Sequence, residues 1–239
     1  MNKAILISVR TGSTRLPNKS ILKIKNKYTV EYVINSVKKS KYADKIVLCT
    51  TQLKEDDILC RIANENNIKF HRGSTNNKWH RWFGALIEFD IDSFVTADGD
   101  DLFYDAGLAD LCFEKLEKND FVNGQGLYND VYGITKSTLE WIVKMKNIES
   151  IEPHQIVNNI ENTFFKIHKL KDVDEIYNKK NIRMTLDYEE DFKFFKKVIE
   201  SLKDDFSLQD VLDYLENNPE VIDINVEKEK DWKINQGTM

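Results

Sequence analysis

The residues with the clearest chemical potential form one run, Val9-Arg10-Thr11-Gly12-Ser13-Thr14-Arg15-Leu16-Pro17-Asn18-Lys19. Gly12 gives the backbone freedom to turn, so that successive N–H groups converge on one anion. Thr11, Ser13 and Thr14 add hydroxyl donors. Arg10, Arg15 and Lys19 add three positive charges, a set suited to a polyphosphate. The run is neither a GxxxxGK[ST] loop nor a GxGxxG loop. A second group is acidic: Asp98, Asp100, Asp101 and Asp105 fall within eight positions, and Asp187 lies far downstream. Strand-end carboxylates beside a cationic loop suit a hard divalent cation, which takes one or two carboxylates plus phosphate and water oxygens. A solvated acidic loop is the competing reading, and Asp105 also reads as a helix cap. A third group, Arg72-Gly73-Ser74, is either a ligand contact or an ordinary turn.

These groups need elements to position them, and the hydrophobic pattern supplies the elements. Residues 3–9 are a short apolar run and read as a buried strand. Val30, Val33, Ile34 and Val37 recur at i, i+3, i+4, i+7 and predict a helix over 29–39. Strands follow at 45–49, 68–70 and 93–97, with helices over 54–66, 77–88 and 105–117. Strand and helix thus alternate, which is the pattern of a doubly wound α/β sheet, whose ligands bind beyond the carboxyl ends of the strands. The cationic loop follows the first strand, Arg72–Ser74 the third, and the acidic cluster the fourth. Trp79, Trp82 and Phe83 read as helix core or a subunit contact.

The second half is less regular. Short strands are expected at 120–123 and 130–134, helices near 136–146 and 152–162, and strands at 164–170 and 182–186. Two C-terminal helices carry Phe192, Phe195, Ile199 and Leu202, then Leu208, Val211, Leu212 and Leu215.

Residues 10–19, R-T-G-S-T-R-L-P-N-K, resemble the signature loop of cytidylyltransferases related to CMP-Kdo and CMP-sialic acid synthetases. The match is to the spore-coat-polysaccharide branch, with its R-x-G-S-x-R-L-P-x-K pattern. His71-Arg72-Gly73-Ser74 resembles that branch's R-G-S segment. Gly99-Asp100 followed by Asp105 resembles its G-D-x-P-L-I-D. Arg183-Met184-Thr185-Leu186-Asp187 with Glu190-Asp191 resembles its late R-x-T-V-D-x-x-E-D. The order of the four motifs is that of the family, and together they span most of the chain.

The resemblance implies a Rossmann-like three-layer α/β/α nucleotidyltransferase fold, mostly parallel, with a small irregular insertion for acceptor and dimer contacts. It implies one domain over 1–226, acceptor-side elements at roughly 120–170, and a charged tail over 227–239. By the same resemblance, Arg10, Thr11, Gly12, Ser13, Arg15 and Lys19 hold the CTP triphosphate, with Arg10 and Lys19 stabilising the transition state. Arg72, Gly73 and Ser74 meet the base or ribose, and Asp100 and Asp187 bind Mg²⁺. Asn123, Gln125, Tyr128 and His154 are acceptor candidates by position alone, and they leave the acceptor open among a sugar acid, a sugar phosphate and a non-sugar phosphate. One departure is plain: the family's Pro after the aspartate is missing from Asp100-Asp101-Leu102-Phe103-Tyr104. That departure keeps a non-catalytic nucleotide-binding subunit in play. The same residue types would also serve a nucleotidyltransferase using another NTP, or a glycosyltransferase using a nucleotide-sugar donor.

Composition narrows the partners. Residues 1–30 hold seven Lys/Arg and no Asp or Glu, a net +7; the rest sets 28 basic against 40 acidic residues, a net −12. A cationic entry on an acidic body points to a local anion site rather than a nucleic-acid surface. Lys23, Lys25 and Lys27 read as a solvated loop. Nine Gly and three Pro in 239 residues, against about 7% Gly usually, exclude Gly-rich linkers and Pro-rich arms. No apolar run approaches the roughly 18 residues of a membrane helix, and no signal peptide is expected. Cys49, Cys60 and Cys112 form no CxxC pair, which fits a reduced, cytoplasmic protein. A homodimer is expected from the resemblance.

Overall fold

The computed structural model describes every residue except 125, 126, 129, 162, 172, 178–180 and 236–239. Its first strand, β1 (Lys3–Ser8), is buried from Ala4 onward. Strands covered on both faces read as unbroken apolar runs, and this one does. After the cationic loop and a 3-10 turn at Lys19–Ile21, the chain makes a small hairpin, β2 (Lys23–Ile24) with β3 (Lys27–Tyr28). The sequence predicts only a solvated loop here, because two-residue strands are too short to leave a period. Lys25 in the hairpin takes a left-handed φ of 50° and reaches Asp204 at 2.9 Å.

α1 (Thr29–Val37), β4 (Lys45–Thr51), α2 (Asp57–Glu65), β5 (Lys69–Gly73), α3 (Lys78–Glu88), β6 (Ser93–Asp98) and α4 (Ala106–Leu116) follow in strict alternation. Then come β7 (Phe121–Gly124), β8 (Val131–Thr135), α5 (Lys136–Ile142), α6 (Pro153–Ile160), β9 (Ile167–Lys169), α7 (Glu189–Ser201), α8 (Leu208–Asn217) and α9 (Lys228–Asn235).

Seven strands form one sheet in the order β5-β4-β1-β6-β8-β7-β9. The pairs β1–β4, β1–β6, β4–β5 and β7–β9 are parallel; β6–β8 and β7–β8 are antiparallel. The chain runs outward from β1 to β5, then returns to the other side of β1 as β6. That reversal opens a crevice at the carboxyl ends of β1 and β6.

Alternation along the strands divides the core. Ile5 and Ile7 of β1 pack with α1, α2 and α4 on one face, while Ala4 and Leu6 pack with α3, α5 and α6 on the other. A third cluster joins Leu102 and Phe103 to Phe194, Phe195, Leu212 and Leu215 of the C-terminal helices.

Two expectations are corrected. Residues 182–186 form no strand; Met184 and Leu186 are buried against α7 and α8 instead of in the sheet. A short apolar run is equally buried by helices, and periodicity alone does not separate the two. The strand expected at 164–170 contracts to β9, because Phe164 at its start is 78% exposed.

Candidate active site

The cationic loop is held by an acid that sequence reasoning missed. Asp56, at the end of the 3-10 turn Lys54–Asp56, is buried. Its Oδ1 accepts from the Thr11 N–H at 2.8 Å and from the Thr11 hydroxyl at 2.7 Å. Its Oδ2 accepts from the Thr51 hydroxyl and N–H. Burial pushes the Asp56 pKa up, and the hydrogen bonds from Thr51 and Thr11 outweigh that, so it lies below the usual carboxylate range. Thr11 is therefore an anchor of the loop and its donors are already used.

Backbone approach fixes the loop's start. Gly99 N–H donates to the Ser8 carbonyl at 2.9 Å, and a Cβ on Gly99 would stand 2.6 Å from Cβ of Val9. Only glycine fits there. Gly12 lies outside the left-handed region; the left-handed turn falls instead on Asn18, at φ 58°.

The acids converge on one cation. Lys19 Nζ lies 2.5 Å from Asp100 Oδ2 and 2.8 Å from Asp187 Oδ1. Arg15 Nη2 reaches the same Asp187 oxygen at 2.6 Å. A backbone bond from the Leu186 N–H to the Asp100 carbonyl, 3.0 Å, ties the two acidic segments together. Behind Asp187 stands Arg183, whose side chain is 1% exposed and bonds Asp187, Asp191 and Glu229 at 3.3, 2.9 and 3.0 Å. Asp191 in turn caps α7, accepting from the N–H groups of Asp187 and Tyr188 at 2.9 Å each. Burial pulls Lys19 down, but the fields of Asp100 and Asp187 raise its pKa. Burial pushes Asp187 up, but Lys19 and Arg15 bring it below the usual range.

Of these groups, Arg15, Lys19, Gly99 and Asp100 line one polar cleft of about 570 Å³ at the carboxyl ends of β1 and β6, and Asp187 stands behind Arg15 and Lys19. The cleft's loop side carries Arg10, Gly12, Ser13, Thr14, Arg15 and Lys19. Its floor and far side carry Asp98, Asp100, Lys78, Arg81, Glu149 and Glu152. Lys78 Nζ holds Asp98 Oδ1 at 2.6 Å. Trp79 and Trp82 support α3 from the core side, their rings crossing edge-on at 5.2 Å. Trp82 Nε1 donates to Ser8 Oγ and Trp79 Nε1 to the Ile151 carbonyl, both at 2.7 Å. The expected core role of these tryptophans holds.

Several candidates stand elsewhere. Arg72 folds over the β4–α2 connection, donating to the carbonyls of Thr51 and Leu53 and pairing with Asp57 at 2.5 Å. Arg72, Gly73 and Ser74 do not line the cleft; Thr75 and Asn76 do. Asn123 is buried within β7. Tyr128 packs against the third core cluster, its hydroxyl buried without a hydrogen-bond partner. His154 is half-buried in α6, and neither it nor Asn123 nor Tyr128 lines the cleft. Gln125 lies outside the described residues. Among Asp100's rivals, Asp98 pairs with Lys78, Asp101 is buried, and Asp105 caps α4 through the N–H groups of Gly107 and Leu108.

Lys78, Arg81, Glu149 and Glu152 were missed as site residues. A signal existed for the first two: Lys78 and Arg81 are spaced i, i+3 on α3, offset by one from the Trp79/Trp82 core pair. The missing Pro after Asp100 has a structural counterpart in Leu102, Phe103 and Tyr104. All three are buried and pin the acidic loop to the core.

Comparison with known proteins gives the chain relatives along most of its length. The chain is 30% identical to MJ1063 of Methanocaldococcus jannaschii over 92% of its length and 93% of the relative's. It is 22% identical to the spore coat polysaccharide biosynthesis protein SpsF of Bacillus subtilis, covering 95% of this chain and 98% of that one. Its fold superposes on a cytidylyltransferase from Leptospira borgpetersenii serovar Hardjo-bovis with a TM-score of 0.82, 28% identity and coverage of 93% and 97%. The cytidylyltransferase family model matches residues 4–217, and the chain belongs to that family of nucleotidyltransferases.

Proposed function

We propose that this chain transfers a cytidylyl group from CTP to a sugar acid or a small phosphorylated acceptor, with release of pyrophosphate. One observation carries the reading. Carboxylate oxygens of Asp100 and Asp187, from segments 87 positions apart, converge on a single cationic point at 2.5 and 2.8 Å, beside Arg10 and Arg15. Family membership supports CTP as the nucleotide.

The donor set fits Mg²⁺. Both acids offer hard oxygens at one place, and Mg²⁺ ordinarily adds phosphate and water oxygens to one or two carboxylates. Asp100 and Asp187 would hold the ion, which when bound neutralises charge on the phosphates and orients them. Lys19 now occupies that point of convergence, and its flexible stem lets the ammonium turn to a phosphate oxygen.

The remaining chemistry belongs to the chain. An acceptor oxygen, either a phosphate oxygen or a hydroxyl that gives up its proton to water, attacks the α-phosphorus of CTP in line. The bond between the α-phosphorus and the bridging oxygen breaks, and pyrophosphate leaves with that electron pair. Arg10 and Lys19 stabilise the charge that accumulates on the leaving group. Asp56 and Gly99 keep the loop preformed, so little reorganisation accompanies the reaction. Glu149 and Glu152 face the side from which the acceptor arrives. No covalent intermediate on the protein is needed.

The similarity to SpsF supports a role in surface polysaccharide synthesis. The reading includes a cytoplasmic homodimer; the exposed Phe164 beside β9 offers a contact between copies. Among the described residues, no helix is long and apolar enough to cross a membrane.

A pyrophosphate-release screen tests the proposal. It pairs each NTP with sugar acids, sugar phosphates and small phosphorylated acids, with and without Mg²⁺. The expected result is Mg²⁺-dependent release with CTP and one acceptor class. Consumption of a nucleotide-sugar with no turnover of free CTP would overturn it.

A further inference from the structure

Three cations of the cleft face carboxylates: Arg15 faces Asp187, Lys19 faces Asp100 and Asp187, and Lys78 faces Asp98. Arg81 does not. It projects from α3 and is only 6% exposed, yet it lines the cleft. Its Nη1 donates to the Ser74 carbonyl at 2.6 Å, and its Nε is buried with no hydrogen-bond partner. It makes no ion pair with a described carboxylate within 4.0 Å. A buried guanidinium without counter-charge is unfavourable unless a ligand supplies one.

Local packing builds this position. A Cβ on Gly73 would stand 3.1 Å from both Cα and Cγ of Arg81, so the glycine lets α3 close on β5. Ser74 then supplies the carbonyl that fixes the guanidinium, and its hydroxyl accepts from the Asn77 N–H at 3.1 Å. Asn77 caps the same helix through the His80 N–H. The 73–77 segment thus serves to aim one buried cation. Arg10 lines the same cleft. Burial lowers the Arg81 pKa, and the positive charge of Arg10 acts in the same direction. The fields of Asp98 and Asp56 oppose that without reversing it.

We propose that Arg81, with Arg10 lining the same cleft, is a phosphate-binding residue for the nucleotide. Its Nε–H donates to a non-bridging phosphate oxygen, and the phosphate supplies the missing negative charge. A neutral base or ribose would satisfy the donor but leave the charge uncompensated. This inference rests on the reading of the cleft as a CTP site, and it adds a cation from α3, outside the 10–19 loop.

Calorimetric titration of the full chain with inorganic pyrophosphate, CTP and cytidine, in Mg²⁺-containing buffer, tests it on wild type, Arg81→Gln and Arg81→Lys. Arg81→Gln is expected to weaken pyrophosphate and CTP roughly 10- to 100-fold, the size of one charge-assisted hydrogen bond, and to leave cytidine unchanged. Arg81→Lys keeps the charge but not the fork, and falls between. If Arg81→Gln does not fold, weakened pyrophosphate binding by Arg81→Lys at an unchanged melting temperature supports the proposal. Unchanged binding by that variant overturns it. Unchanged pyrophosphate affinity in a folded Arg81→Gln, or an equal loss for cytidine, overturns this inference alone. A wild type that binds none of the three probes overturns the CTP reading as well.

Discussion

The two sides of the cleft are built differently. On the loop side, groups are held by partners distant in sequence: Thr11 by Asp56, Lys19 by Asp100 and Asp187, and Asp187 by Arg15, with Arg183 behind it. Arg183 is held in turn by Asp191 and Glu229. The chain of contacts runs from residue 11 to residue 229 and crosses the sheet's carboxyl edge. On the other side, Glu149 sits in a 3-10 turn, Ile148–Ser150, and Glu152 at the start of the eight-residue α6. Their segment is braced mostly from within: Ser150 bonds back to Asn147, and Gln155 accepts from the Glu152 N–H at 3.0 Å, while Trp79 ties the Ile151 carbonyl to α3. On the reading proposed above, the long-range contacts hold the phosphate side, and the short segments carrying Glu149 and Glu152 face the acceptor.

Mutations that erase one side and spare the other put this division to work. The largest effect is expected from Asp100→Ala with Asp187→Ala. Removing one preorganised electrostatic group costs about 10²–10³ in rate, and removal of both acids should exceed that. Initial rates of pyrophosphate release measure it, with circular dichroism checking that the fold persists. Unchanged release would mean the loop side does not carry the phosphate chemistry.

Arg183→Met comes next, and it acts on stability. Its side chain is 1% exposed and that of Asp191 is fully buried, so removing the cation strands a charge. Breaking such a pair costs about 3–5 kcal/mol. Urea unfolding measures it, and a loss under about 1 kcal/mol would mean the partner chain behind Asp187 is dispensable.

Glu149→Gln should touch the acceptor side alone. A partly solvated charge contact is worth little, so a change of about two- to fivefold in the acceptor's KM is expected. CTP's KM should stay the same, and equal changes in both would erase the distinction between the sides.

The smallest effect is in pH dependence. Asp187 has a lowered pKa, so its contribution to stability is present above the unfolded value near 4 and is lost as pH falls through the folded value. Lys19 has a raised pKa, so its contribution is complete below the unfolded value near 10.4 and is lost only at higher pH. Thermal melts should therefore show no change from this cluster between about pH 5 and 9. Asp187→Asn should shrink the acid-side loss, and an unaltered acid limb would contradict the pairing.

The same contrast explains what was legible in the sequence. Apart from the β2–β3 hairpin, β1 through α4 were readable because strands buried on both faces and one-sided helices leave strong periodic patterns. Val30, Val33, Ile34 and Val37 are all fully buried. Arg10, Ser13, Arg15, Lys19, Asp100 and Asp187 stand out as candidates because they lie within recognisable strings, and the structure brings Arg15, Lys19, Asp100 and Asp187 together. Asp56 does not stand out, since a lone acid before a helix looks like an ordinary cap, and its bonds to Thr11 bridge 45 positions. Arg72 misled for the converse reason: its type suits a ligand contact, but backbone carbonyls at Thr51 and Leu53 claim it first. The side of the cleft that carries Glu149 and Glu152 was least legible. Glu149 sits in a three-residue 3-10 turn that leaves no periodic signal, and Glu152 is the cap of a helix whose pattern marks only its buried face. Asn123 and Tyr128 were chosen by position and turn into the core.

If the loop and the paired acids act on CTP as proposed, the bond that breaks lies between its α- and β-phosphates. Phosphorus NMR of the wild-type reaction, with CTP, Mg²⁺ and the acceptor found by the screen, follows that bond directly. Pyrophosphate and a CMP-linked product should rise together as CTP falls. Orthophosphate with CDP, or a spectrum of unchanged CTP while a nucleotide-sugar is consumed, would refute the proposal.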